Sequence, residues 1–278
     1  MNTEKIIRTE ARSKLRNGNW STSLGIFFVL FASVLIVLFL QSFIILGVQV
    51  VFTPLFNLLG EVEPAFSLET EDSFGNAFIT LAGGTLGLLA FALGFLFVFP
   101  LYCGAKRYFY LLSKDENGKF SDIFYYFSGK LKSCTLLGLR YGLMCVGKFI
   151  PCIAPAYLLF AVIMSNEFGT FANSMLTLSV FATGIGGLCI WILWTSRQFL
   201  TIYLYIEDDS KPSTYYIKKS EEITNGPFNS SVRKLMYSFG GWFLLALTGV
   251  GMLYFVPYCE MSLATSAKWI IQLQKEVQ

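Results

Sequence analysis

The sequence predicts an all-α, polytopic membrane bundle of about five transmembrane helices, with six possible, and short amphipathic helices at the cytoplasmic interface. Three observations carry that prediction. The 278 residues are 54% hydrophobic and only 14% charged, whereas soluble domains carry about 25% charged residues. Long stretches hold no charge at all: 44 residues from Asn17 to Gly60, and 25 between Lys234 and Glu260. Most Lys and Arg residues fall in alternate connections between the apolar stretches. A chain of this length accommodates two soluble domains, but the apolar runs favour one membrane domain over 1–278.

Residues 1–23 carry Lys5, Arg8, Arg12, Lys14 and Arg16, with Ile6 or Ile7, Ala11 and Leu15 at helical spacing. That pattern predicts a short basic amphipathic helix beside a membrane. The first span is expected over 24–52. Its apolar core is too long for a cleaved signal peptide, so it is expected to be retained. The connection 53–78 has Glu61, Glu63, Glu69, Glu71 and Asp72 and no basic residue.

A second span is expected over 78–101, where Gly83 and Gly87, like Ala90 and Gly94, are four apart and let another helix approach closely. In 102–133 lie Lys106, Arg107, Lys114, Lys119, Lys130 and Lys132, and Phe120, Ile123, Phe124 and Phe127 follow α-helical spacing. A helix lying along the lipid surface is expected over 120–132. The third span, 134–163, is interrupted by Pro151 and Pro155. The connection 164–173 has Glu167 as its only charge, and the fourth span covers 174–206. Between 207 and 234, Tyr216, Ser220 and Ile223 form the seam of another short helix ended by Gly226-Pro227.

The fifth span is expected over 235–258. At 1.5 Å per residue the 25 uncharged residues from Leu235 to Cys259 reach ~37 Å, more than a hydrocarbon core of about 30 Å. Tyr237, Trp242, Tyr254 and Tyr258 suit interfacial anchors, and a tail follows over 259–278. Gly240, Gly241, Gly249 and Gly251 are packing positions. This stretch also carries a family likeness. Ser220, Gly226, Leu235, Ser238-Phe239-Gly240-Gly241-Trp242, Leu244-Leu245, Thr248-Gly249-Val250-Gly251, Pro257-Tyr258 and Ala264 resemble the C-terminal signature of a bacterial integral membrane family, domain of unknown function 975. Ala11-Arg12, Leu15 and Asn19-Trp20 resemble that family's opening. Ile223-Thr224 and Ser266-Ala267 depart from its pattern, at the cytoplasmic helix packing and the tail. The resemblance implies a multi-pass protein of the bacterial plasma membrane and no established activity.

Charge sets the expected orientation. Lys plus Arg number five before the first span, six before the third and five before the fifth, and none in the two connections between. Basic connections stay in the cytoplasm, so the N-terminus is expected inside and the acidic 53–78 connection outside. Five spans then put the C-terminus outside, unless Pro257 starts a helix folding back on the bundle.

The absence of histidine removes the usual general base, the Ser–His pair and the commonest zinc ligand, so neither an enzyme nor a cofactor is expected. The six cysteines show no C-x-x-C spacing and suit small buried hydrophobes. The charges within the spans are the sharper signal. Arg140 and Lys148 lie near one face of the third span and Arg197 near the inner end of the fourth. Gln41 and Gln49 are two turns apart in the first. An unpaired charge at the bilayer centre costs about 2.5–3.5 kcal/mol on insertion scales, so Lys148 is expected to face the bundle, water or a partner. Glu260 is expected too near the outer surface to serve it. Two functions stay open. One is a non-enzymatic accessory or scaffold protein that holds anionic phospholipid headgroups, another membrane protein or a second copy at the cytoplasmic face. The other is a transporter or channel for an anionic solute or lipid headgroup.

Overall fold

The computed structural model describes residues 3–60, 71–165, 170–225, 228–239 and 249–277, and the regular elements among them are all helical. Among the described residues four helices are long and apolar enough to cross a membrane: α2 (Trp20–Gly60), α3 (Glu71–Ser113), α4 (Leu131–Ser165) and α5 (Thr170–Ser196), the last apolar run continuing to Glu207. They pair as two antiparallel hairpins. In the first, Gly94 takes Val37 into the space a Cβ would fill, Gly87 lies under Ile45, and Gly83 faces Val48. In the second, Gly187 lets the Cys152 carbonyl approach, and the Trp191 Nε1–H donates to the Cys145 carbonyl at 2.9 Å. The hairpins meet through α3 and α4, where Phe99 and Phe95 lie over Gly138 and Gly142.

Beneath these arms is a packed base. Its centre is the C-terminal part of α3, where Leu101, Cys103, Ala105, Tyr108, Phe109 and Tyr110 are all buried. Around it lie α1 (Thr3–Lys14) with a π-helical turn (Leu15–Asn19), a 3₁₀ segment (Phe120–Phe127), and α6 (Thr201–Glu207). The base is completed by α7 (Ser213–Asn225), α8 (Asn229–Ser238) and α9 (Val250–Val277). Gly104 fixes the closest approach, because a Cβ there would overlap the Ile123 carbonyl of the 3₁₀ segment. Large exposed hydrophobic side chains are concentrated on the arms, among them Phe39, Leu81, Leu143 and Phe181.

Several expectations need correction. The apolar face of α1, Ile7, Ala11 and Leu15, is covered by protein: it packs in the core that holds Met261, Ala264, Ala267 and Ile271 of α9. Over 120–127 the helix is 3₁₀, so Ile123 and Tyr126, three apart, point inward while Phe120 and Phe124 are exposed. The fourth span does not run to 206 as one helix, since α5 ends at Ser196 and α6 begins at Thr201.

The fifth span is the largest correction. In one continuous helix, Phe239 and Phe255 would be about 24 Å apart, yet their rings are 6.2 Å apart, and Phe239 is 6.4 Å from Tyr258. The helix α8 stops at Ser238, and Gly249, at φ +72°, precedes α9. The apolar run therefore turns back. Residues 240–248, with Gly240 and Gly241, lie outside the described residues. Beyond them, α9 continues through Pro257 to Val277, and Lys268 pairs with Glu10 at 3.1 Å, so α9 ends on the side where α1 lies.

Candidate functional site: two ion pairs at the foot of the arms

The helix α7 runs parallel to α4. Arg140 Nη1 donates to Ser213 Oγ at 2.6 Å, and Lys148 Nζ pairs with Glu221 Oε1 at 3.0 Å. Both pairs are 73 residues apart in sequence, so eight residues on α4 match eight on α7, about 12 Å of shared rise. The faces agree for a simple reason. Tyr216, Ser220 and Ile223 of α7 are buried on one side, which turns Glu221 towards α4. Its carboxylate also accepts from Gln198, a fully buried residue in the turn between α5 and α6. Hydroxyls of Ser220 (3.1 Å) and Thr224 (2.7 Å) cap the Arg197 carbonyl in that same turn.

Lys148, although central in the apolar run of α4, is thus met by a carboxylate from α7. Its ammonium lies 5.5 Å from the Trp194 ring, near the end of α5, and its side chain is 13% exposed. Burial opposes charge on Glu221, but the hydrogen bonds from Lys148 and Gln198 outweigh it and bring the carboxyl below its ordinary range. Of the other sequence-predicted residues, Gln41 faces Gly87 of α3 while Gln49 is exposed. Arg197 lines a cavity with Arg233, and Gly251 is the second residue of α9. Gln41 and Gln49 are therefore not brought together with Lys148.

The second pair was missed. Lys106 of α3 is buried and forms an ion pair with Glu260 of α9 at 2.5 Å, with its Nζ 5.2 Å from the Tyr102 ring and 5.4 Å from that of Tyr203. Sequence reasoning placed Lys106 in a connection and Glu260 at the opposite surface. Helix α3 instead continues through Pro100 to Ser113, and α9 returns on the base side. The signal that would have found Glu260 is the stripe Met261, Ala264, Ala267 and Ile271, a helical face continuing past Pro257. A mostly apolar cleft of about 250 Å³ between α2, α3 and α9 reaches Glu260 and Tyr102, with walls that include Ile26, Leu30, Val34 and Pro257.

Further ion pairs tie the base together. Glu207 takes Lys114 at 2.5 Å and Lys275 at 2.7 Å, and Glu10 accepts from Trp269 Nε1 at 3.0 Å as well as from Lys268. Lys14 pairs with Asp115, although burial and then the charge of Lys268 lower its pKa. Lys130, expected to meet lipid, is held by Asp209, whose hydrogen bond raises its pKa. This arrangement can neutralise charge and lock helices; neither lysine pair offers a free cation. No known family model, curated protein or solved structure matches the chain.

Proposed function

We propose that this is a non-enzymatic accessory or scaffold protein of the bacterial plasma membrane, of the kind grouped as domain of unknown function 975. In this reading the base lies at the cytoplasmic face, with α1 inside the cell and the acidic 53–78 connection outside. The two hairpins hold the base to the bilayer and present surface to lipid, to a partner membrane protein or to a second copy. The observation that carries the reading is the occupation of Lys148. Its charge is spent on Glu221, which Gln198 also holds, so it supports helix packing rather than an anion path. Burial supports the same reading. Only 6% of the most apolar 18-residue stretch in each of α4 and α5 is buried within the chain. A pore or carrier built from one copy needs arms that enclose polar surface, whereas these leave apolar surface for other molecules to cover.

The test is anion flux in proteoliposomes, across chloride, phosphate, sulfate and small carboxylates, for the wild type and Lys148→Met. The scaffold reading expects no flux above protein-free vesicles from either. Wild-type flux that collapses in Lys148→Met, with the fold retained, would establish the transporter reading in its place.

A further inference from the structure

We infer that a cavity between α5 and α8 binds the phosphate of an anionic phospholipid through Arg197 and Arg233. The inference rests on α5 being a membrane helix and names the lipid class that the proposed scaffold holds. The cavity measures about 310 Å³ and is lined, among the described residues, by Ile190, Leu193, Trp194, Arg197 and Arg233. Ile190, Leu193 and Trp194, spaced i, i+3, i+4, share one face of α5, and Arg197 follows in the turn just beyond Ser196, so the lining runs from apolar to aromatic to cationic towards the base. Arg233 reaches the same place from α8.

Neither guanidinium has a carboxylate within ion-pair distance among the described residues, whereas Lys106, Lys114, Lys130 and Lys148 each have one. The acid nearest in effect, Glu221, is already taken by Lys148 and Gln198. The turn that carries Arg197 is fixed, because Ser220 and Thr224 hold its carbonyl, so the site is positioned before any ligand arrives. Two planar guanidinium forks match the oxygens of a phosphate better than single ammonium groups do. The apolar wall explains why that phosphate belongs to a lipid. Ile190 is 58% exposed and Trp194 40%, which offers a track for an acyl chain and an indole at the interface, neither of any use to a free anion.

The test uses the full chain in nanodiscs and in detergent, with native mass spectrometry and thermal unfolding as readouts. Phosphatidylglycerol is compared with phosphatidylcholine, and inorganic phosphate and glycerol 3-phosphate are the soluble arms. Arg197→Gln/Arg233→Gln is compared with Lys218→Gln/Lys234→Gln, which removes equal charge from exposed positions nearby. Retention of phosphatidylglycerol is expected to fall at least tenfold in the arginine variant and less than twofold in the lysine variant, with no thermal shift from either soluble phosphate. Arg233→Lys, which keeps the charge and loses the fork, is expected to fall several-fold and serves where the double variant does not purify. Equal loss in both double variants, or no preference over phosphatidylcholine in the wild type, would overturn the site. A thermal shift from inorganic phosphate that the arginine variant abolishes would reassign it to a soluble anion. A protein that cannot be placed in a bilayer at all would instead overturn the membrane reading.

Discussion

Lys148 shows how a side chain can be conspicuous in sequence while its role stays hidden. Its isolation among uncharged residues was visible; its partner was not, because Glu221 comes 73 residues later on a helix whose facing depends on three buried neighbours. The pair sets an energetic expectation. Lys148→Met and Glu221→Gln are each expected to lower thermal stability in detergent, and the double variant to recover most of the loss, because each single change strands the other group. The coupling is expected near 1 kcal/mol, at the low end for contacting pairs, since the Glu221 side chain is 37% exposed and solvent screens it. The acid side gives a second check. A carboxyl held below its ordinary value stabilises the fold fully above an unfolded pKa of about 4.3, and that contribution disappears as pH falls through the depressed folded value. Between pH 7 and the acid limb, the wild type is expected to lose more stability than Glu221→Gln; equal losses would remove Glu221 from the account.

At the scale of elements, what was legible followed from composition, and what was not followed from contact. An uncharged apolar run announces a helix, and α2 through α5 stand where such runs lie. The run at 235–258 has the same composition, yet it reverses, and only the meeting of Phe239 with Phe255 and Tyr258 reveals that. Length and hydropathy do not encode a return. The 3₁₀ segment was misjudged for a related reason: Phe120, Ile123, Phe124 and Phe127 fit an α-helical stripe, but Gly104 admits the Ile123 backbone itself, which a regular α-helix would hold further away. Two glycines separate contact from propensity. Gly104→Ala is expected to cost about 2 kcal/mol or more, because backbone stands where its methyl would go. Gly147→Ala, in α4 with open space around it, is expected to be neutral or stabilising by up to about 1 kcal/mol through helix propensity. Thermal unfolding of both in detergent checks the contrast, and similar losses would mean the base is looser than its packing implies.

For the whole molecule, the arms and base together set an orientation that labelling can read. In a variant lacking the native cysteines, Glu69→Cys is expected to react with an impermeant reagent from outside intact cells. Lys114→Cys, Lys219→Cys and Gln272→Cys are expected to stay protected until the membrane is opened. Gln272 is the discriminating position, because five crossings put it outside whereas the docking of α9 on α1 puts it with the base; labelling from outside would return the fifth crossing. That docking also sets a schedule for biogenesis. Ile7 and Ala11 share a core with Met261 and Ala264, and Glu10 waits for Lys268 and Trp269, roughly 260 positions later. At about 5–20 residues per second, a ribosome needs on the order of ten seconds or more to make that stretch. Both hairpins are synthesised within that interval, while the amphipathic face of α1 has no α9 to cover it. The nascent chain therefore carries, for seconds, a basic helix with an apolar stripe that the bilayer surface or a chaperone can hold, and α9 takes it over once it emerges.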